Sequence, residues 1–213
     1  MSQKNINGKT ATQQKSGSGL KWTAANIVNC VRVVLVPVWL FLAEVLTVVS
    51  DGKSIAWGGI VVFAVYVFLS LTDKIDGYLA RSRGEVTVFG KFLDPIADKL
   101  VVIVSLCFLL EQGAVSAWVL LIIVAREFLV SGLRMVVASE GTVIAASNLG
   151  KWKTATTMVS ISGLLLVRAL PVGPLYTVLL GISNVLLIIA VVLTAWSGID
   201  YFMKSWRYIA DAD

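Results

Sequence analysis

The chain has 213 residues, of which 57% are hydrophobic and 15% charged, and its mean hydropathy is +0.85. That composition excludes an ordinary soluble domain and indicates an all-α polytopic membrane protein. The net charge of +5 fits Lys and Arg gathered on cytoplasmic loops better than nucleic-acid binding, and the absence of histidine excludes a His-ligated zinc and a histidine base.

In chain order, residues 1–21 are polar and read as a disordered tail. Lys4, Lys9, Lys15 and Lys21 keep that end in the cytoplasm, and no cleaved signal peptide is expected. Six spans of bilayer length follow. They are predicted at 24–49, 55–81, from Gly90 or Asp94 to 110, 115–139, 150–170 and 175–199. Pro37 should kink the first span, which carries Arg32 near its inner end and Glu44 near its outer end. Asp51 to Lys53, Glu111 to Gly113 and Pro171 to Pro174 mark outer turns. The connections 82–91 and 140–153, with Arg83, Lys91, Lys151 and Lys153, read as cytoplasmic. Both termini then lie inside, with Lys53 and Arg168 as the chief exceptions to the charge rule. The domain is expected to fill 22–205, with 206–213 as a second tail. Cys30 and Cys107 fall near opposite ends of their spans and should not pair.

The stretch from Asp73 to Asp98, DKIDGYLARSRGEVTVFGKFLDPIAD, breaks the apolar pattern. Residues three and four apart share a helix face. Asp73, Asp76, Gly77 and Ala80 therefore form one stripe, and Gly90, Asp94 and Asp98 another. If the two helices pack together, four carboxylates converge. Converging hard oxygens suit Mg²⁺ or Mn²⁺, and small residues leave room for a phosphate. Simpler readings exist. Asp94-Pro95 could be an N-cap with proline at the first helical position. Asp73 or Asp76 could pair with Lys74, Arg81 or Arg83. Arg32 could snorkel to the membrane edge. Arg126 and Glu127 could form a buried pair. Neighbours on a helix point about 100° apart, however, which favours Arg126 aiming into a polar cavity.

The spacing D-x2-D-G-x2-A-R-x8-G-x3-D-x3-D resembles the signature of the CDP-alcohol phosphotransferases at Asp73, Asp76, Gly77, Ala80, Arg81, Gly90, Asp94 and Asp98. Asn26-Ile27, Arg32, FLDPIADK, AREFLVSGLR at 125–134 and GKWKT at 150–154 extend the likeness to the branch that uses sn-glycerol 3-phosphate as acceptor. The resemblance implies a six-helix enzyme with CDP-diacylglycerol as donor and CMP as leaving product, at the first committed step of phosphatidylglycerol and cardiolipin synthesis. It implies that Asp73, Asp76, Asp94 and Asp98 ligate two divalent ions and that Asp98 is the general base. It assigns Asp73, Asp76, Gly77, Ala80, Arg81, Gly90 and Asn26 to the CDP-lipid, and it implies a homodimer among membrane lipids.

Four aspartates and a pyrophosphate diester would bring six negative charges together. Two divalent ions would cancel four of them, and Arg81 one more. A phosphorylated acceptor adds further charge and calls for cations. Arg126, Arg134, Lys151, Lys153 and Arg32 are the candidates. Three alternatives stay open at this point. The acceptor could be inositol phosphate, serine or phosphatidylglycerol. The basic residues could be anchors to the inner leaflet. The carboxylates could belong to a cation transporter, although those sites lie near the bilayer midplane in repeated halves.

Overall fold

The computed structural model describes residues 24–46, 48–83, 88–139 and 148–210. These form six α-helices and, among the described residues, no strand. The helices are α1 (Ala24–Val45), α2 (Trp57–Arg83), α3 (Val88–Glu111), α4 (Ala117–Ser139), α5 (Asn148–Ala169) and α6 (Pro174–Ala210). All six expected helices are present. Among the described residues, two contain stretches long and apolar enough to cross a membrane, Ile27–Val45 and Pro174–Trp206, and Trp57–Thr72 is a shorter apolar stretch.

Two boundaries differ from expectation. α3 starts at Val88, so Asp94-Pro95 lies inside the helix and is not its N-cap and first turn. The apolar pair Val88-Phe89 carries the helical pattern upstream of the proline. α6 has 37 residues and passes both the expected end of the span at 199 and the expected tail boundary at 206. At about 1.5 Å per residue it is roughly 55 Å long, nearly twice a hydrocarbon core. The expected end of the span at 199 is not the end of the helix. Loss of apolar character ends only a span. Lys204 donates to Asp200 one turn back at 2.7 Å, and Ser205 Oγ to the Tyr201 carbonyl at 2.8 Å.

One end of the bundle is closed by hydrogen bonds between loops. Ser50 N donates to the Arg168 carbonyl (2.8 Å), Ala56 N to that of Ala169 (2.9 Å), and Val172 N to that of Gly52 (3.0 Å). Arg168 Nη2 reaches Gln112 Oε1 at 3.1 Å. Asp51 Oδ1 accepts from Ser54 N at 2.8 Å and Lys53 N at 2.9 Å, which holds its carboxyl below the usual carboxylate range. Gly52 takes φ +87°, which L side chains rarely adopt. This end collects the C-termini of α1, α3 and α5 and the N-termini of α2 and α6. The aspartate-bearing halves of α2 and α3 therefore run to the opposite end.

The core gathers around Trp39. Its Nε1 donates to the Val62 carbonyl at 2.9 Å, and its ring lies 6.1 Å from Tyr66 and 5.8 Å, edge-on, from Phe108. Val36, Leu69, Leu106, Leu109, Ile161 and Leu165 are buried around it. The outside is apolar too: Phe41, Phe68, Phe128 and Ile188 are exposed. Trp57 and Trp118 are exposed at the loop-closed end and Trp152 and Trp206 at the other, as two interfacial belts would require.

In lipid, apolar burial does little to drive one helix against another, so close approach and interhelical hydrogen bonds carry the packing. Ser160 Oγ of α5 donates to the Ser183 carbonyl of α6 at 3.0 Å, and Gly163 faces the Ser183 side chain. At Gly59 a Cβ would strike the Val48 carbonyl oxygen and lie 2.7 Å from Ala169 Cβ. Gly59→Ala should therefore lower the thermal unfolding midpoint in detergent by several degrees, for a cost of about 1–3 kcal/mol. Gly132→Ala, with nothing within 4 Å of the new methyl, should leave the midpoint unchanged.

Candidate active site

The four motif aspartates lie on two helices that touch, α2 and α3. Their side chains, with those of Ala80, Arg81 and Asn26, lie outside the described residues. The backbone nevertheless fixes their register. On α2, Val62, Tyr66 and Leu69 are buried at intervals of four and three. The same stripe continues through positions 73, 76 and 80. On α3, Val101 and Ser105 are buried, and their stripe continues back through positions 98 and 94. Positions 73, 76, 94 and 98 thus fall at helical intervals from those buried residues. A set of carboxylates on two such faces fits a hard divalent cation. Among the described residues no three His, Cys, Asp or Glu side chains come together.

The basic residues separate into distinct environments. Lys153 is buried, 8% exposed, and its Nζ contacts Glu127 Oε1. Arg126 Nη1 lies 3.5 Å from the same oxygen, and Arg126 Nε donates to Ser197 Oγ of α6 at 3.2 Å. Arg126 therefore does pair with its neighbour, contrary to expectation. The pairing is loose because 100° of helix rotation separates the two side chains. Glu127 turns instead toward α5.

Arg134 is exposed, with its guanidinium 5.7 Å from the centre of the Tyr201 ring, in cation–π range. Lys151 is exposed. Arg32 is 2% exposed, which removes the snorkelling reading. It lies two turns along α1 from Trp39, toward the aspartate end. Cys30 and Cys107 are both free thiols.

Glu127 is expected from the sequence only as a partner of Arg126, yet it is also the partner of Lys153, and Lys99, for which the sequence suggests no role, has its Nζ in contact with Ser131 Oγ of α4. Lys99 follows Asp98 directly, so the basic cluster reaches α3 beside the motif. An open cavity of about 530 Å³ lies at the opposite, loop-closed end, between Glu44, Val48, Glu111 and Gln112, and is remote from this chemistry.

The model of the CDP-alcohol phosphatidyltransferases matches residues 22–196. The chain belongs to the CDP-alcohol phosphatidyltransferase family. Its similarity to curated members of that family covers most of both chains. A CDP-diacylglycerol–glycerol-3-phosphate 3-phosphatidyltransferase of Bacillus subtilis (strain 168) is 37% identical over 188 residues, covering 85% of this chain and 94% of the relative. The enzyme of the same description from Pseudomonas fluorescens is 33% identical over 187 residues, covering 86% and 90%. A probable phosphatidylglycerophosphate synthase of Mycobacterium tuberculosis (strain CDC 1551 / Oshkosh) is 36% identical over 204 residues, covering 96% and 91%. Membership of this family, with two membrane-length apolar helices, makes the chain a membrane protein.

The environments of the two α5 lysines predict opposite behaviour. Lys153→Met leaves the partly buried Glu127 carboxylate with only the loose Arg126 contact and should destabilise by up to about 3–5 kcal/mol. Lys151→Met should stay within about 0.5 kcal/mol. Thermal unfolding in detergent compares the two.

Proposed function

We propose that this chain makes phosphatidylglycerophosphate and CMP from CDP-diacylglycerol and sn-glycerol 3-phosphate. The observation that carries the choice of a phosphorylated acceptor is the basic cluster of buried Lys153 with partly buried Arg126 and Lys99, the last of which follows Asp98 in the sequence. Serine, a zwitterion without phosphate, would have little use for that charge, and the singly charged diester of phosphatidylglycerol would use less of it than a phosphate monoester. The relatives' substrates point to glycerol 3-phosphate in preference to inositol phosphate.

The enzyme lies in the cytoplasmic membrane with six spans and both termini in the cytoplasm. Its active site faces inward, where lipid enters from the side and the polar acceptor from below. Asp98 takes the proton of the acceptor's primary hydroxyl as that oxygen bonds to the lipid-side phosphorus. The bond from that phosphorus to the bridging oxygen breaks, and CMP leaves carrying the electron pair. No covalent enzyme intermediate is required. Gly77, Ala80, Arg81, Gly90 and Asn26 hold the CDP portion of the lipid. Arg126, Arg134, Lys151, Lys153 and Arg32 serve the acceptor phosphate. Asp73, Asp76, Asp94 and Asp98 would hold two Mg²⁺ or Mn²⁺ ions. Bound there, such ions supply charge neutralisation of the pyrophosphate and of the leaving phosphate. The active unit is a homodimer.

Asp98→Asn should lower CMP release from the two substrates by at least about a hundredfold, the lower range for loss of a general base. Turnover like that of the wild type would remove Asp98 from the mechanism. EDTA should abolish activity, and Mg²⁺ or Mn²⁺ should restore it. Labelled CDP-diacylglycerol offered with glycerol 3-phosphate, inositol phosphate, serine or phosphatidylglycerol should react with the first. Preference for another acceptor would keep the chemistry and change the product.

A further inference from the structure

Six residues of α4, Arg126 to Ser131, hold three other helices. Glu127 Oε1 contacts Lys153 of α5 and lies 3.5 Å from Arg126 Nη1. Arg126 Nε donates to Ser197 Oγ of α6 at 3.2 Å. Ser131 Oγ donates to the Glu127 carbonyl at 2.7 Å and contacts Lys99 Nζ of α3. The side chains of Arg126, Glu127 and Lys153 are 14%, 16% and 9% exposed.

A purely structural ion pair is neutral. This cluster has three cations and one carboxylate, an excess of two positive charges among the described residues. A phosphate monoester carries about −1.5 to −2 near neutral pH and matches that excess. The donors also suffice. An ammonium has three N–H groups, and Lys153 engages Glu127 with one. Arg126 retains Nη2 after Ser197 and Glu127 are served.

We propose that Glu127 is the positioning residue of the acceptor pocket. It fixes Lys153 and Arg126 at one carboxylate oxygen, so that together with Lys99 they seat the phosphate of the acceptor beside α3. The proposal rests on the function given above and adds Glu127 and Lys99 to it. Glu127 repels a phosphate by its charge, yet without it two long cationic side chains would have to be ordered by the substrate itself. Fixing them beforehand removes that ordering cost from binding. Gly198 takes part by omission: a Cβ there would lie 3.1 Å from Arg126 Cγ.

The test uses the purified full chain in micelles containing CDP-diacylglycerol, with CMP release followed against glycerol 3-phosphate. Glu127→Gln keeps the shape and removes the charge. It should raise the KM for glycerol 3-phosphate about tenfold or more, change kcat less than about threefold, and leave the KM for CDP-diacylglycerol unchanged. Glu127→Asp should recover part of the loss. On a Lys153→Met background, Glu127→Gln should add much less than its effect alone, because the carboxylate acts through the lysine. An unchanged KM for glycerol 3-phosphate overturns the proposal. So does a fall in kcat with both KM values unchanged, the mark of a scaffold role. Gly198→Ala disturbs Arg126 without touching Glu127 and should raise the same KM about threefold. If Glu127→Gln does not fold, an unchanged KM in Gly198→Ala overturns the proposal instead. Wild-type protein inactive with every phosphorylated acceptor would overturn the function itself, whereas active wild type with unaffected variants would overturn only this inference.

Discussion

The contact between Lys153 and Glu127 is the constraint around which the second half of the molecule is arranged. A charge withdrawn from water must be compensated, and the demand rises as the local dielectric falls. Lys153 sits near the start of α5 and Glu127 in the middle of α4; both helices pack on α6, and the two long side chains bridge them. Arg126 extends the same tie to α6 through Ser197, and Lys99 extends it to α3 through Ser131. A short piece of α4 is thereby held from three sides by polar contacts.

The first half is held differently. α1, α2 and α3 meet around Trp39 by ring packing and one indole hydrogen bond, with Val36, Leu69 and Phe108 filling the space. The loops that join α1 to α2 and α5 to α6 lock the far end with backbone hydrogen bonds. An end cross-tied by loop hydrogen bonds faces the end to which the motif halves of α2 and α3 run. That asymmetry suits a reaction between a substrate that stays in the bilayer and one that stays in water. The rigid end holds the loop-closed ends of α2 and α3, whose opposite halves carry the aspartate positions.

Much of this was legible in the sequence. The six segments expected to be helical are helices, and among the described residues two of them hold stretches long and apolar enough to cross a membrane, where backbone groups removed from water must bond within their own segment. The motif named its own residues, because intervals of three and four are a property of the helix and need no tertiary knowledge. Loop chemistry was legible as well: Asp51-Gly52 and Pro171 to Pro174 turn where expected. Helix ends were not. Hydropathy reports where a span stops being apolar, and α6 shows that a helix continues wherever local hydrogen bonding supports it.

The sequence by itself determined the helices, the family and the eight-residue signature, since each depends on local spacing or local composition. Only the tertiary structure decided which cation meets which anion. Nothing local joins Glu127 to a lysine 26 residues away, or Lys99 to a serine 32 residues away. Those encounters depend on how far one helix slides and turns against the next, and that is set by the summed packing of many side chains.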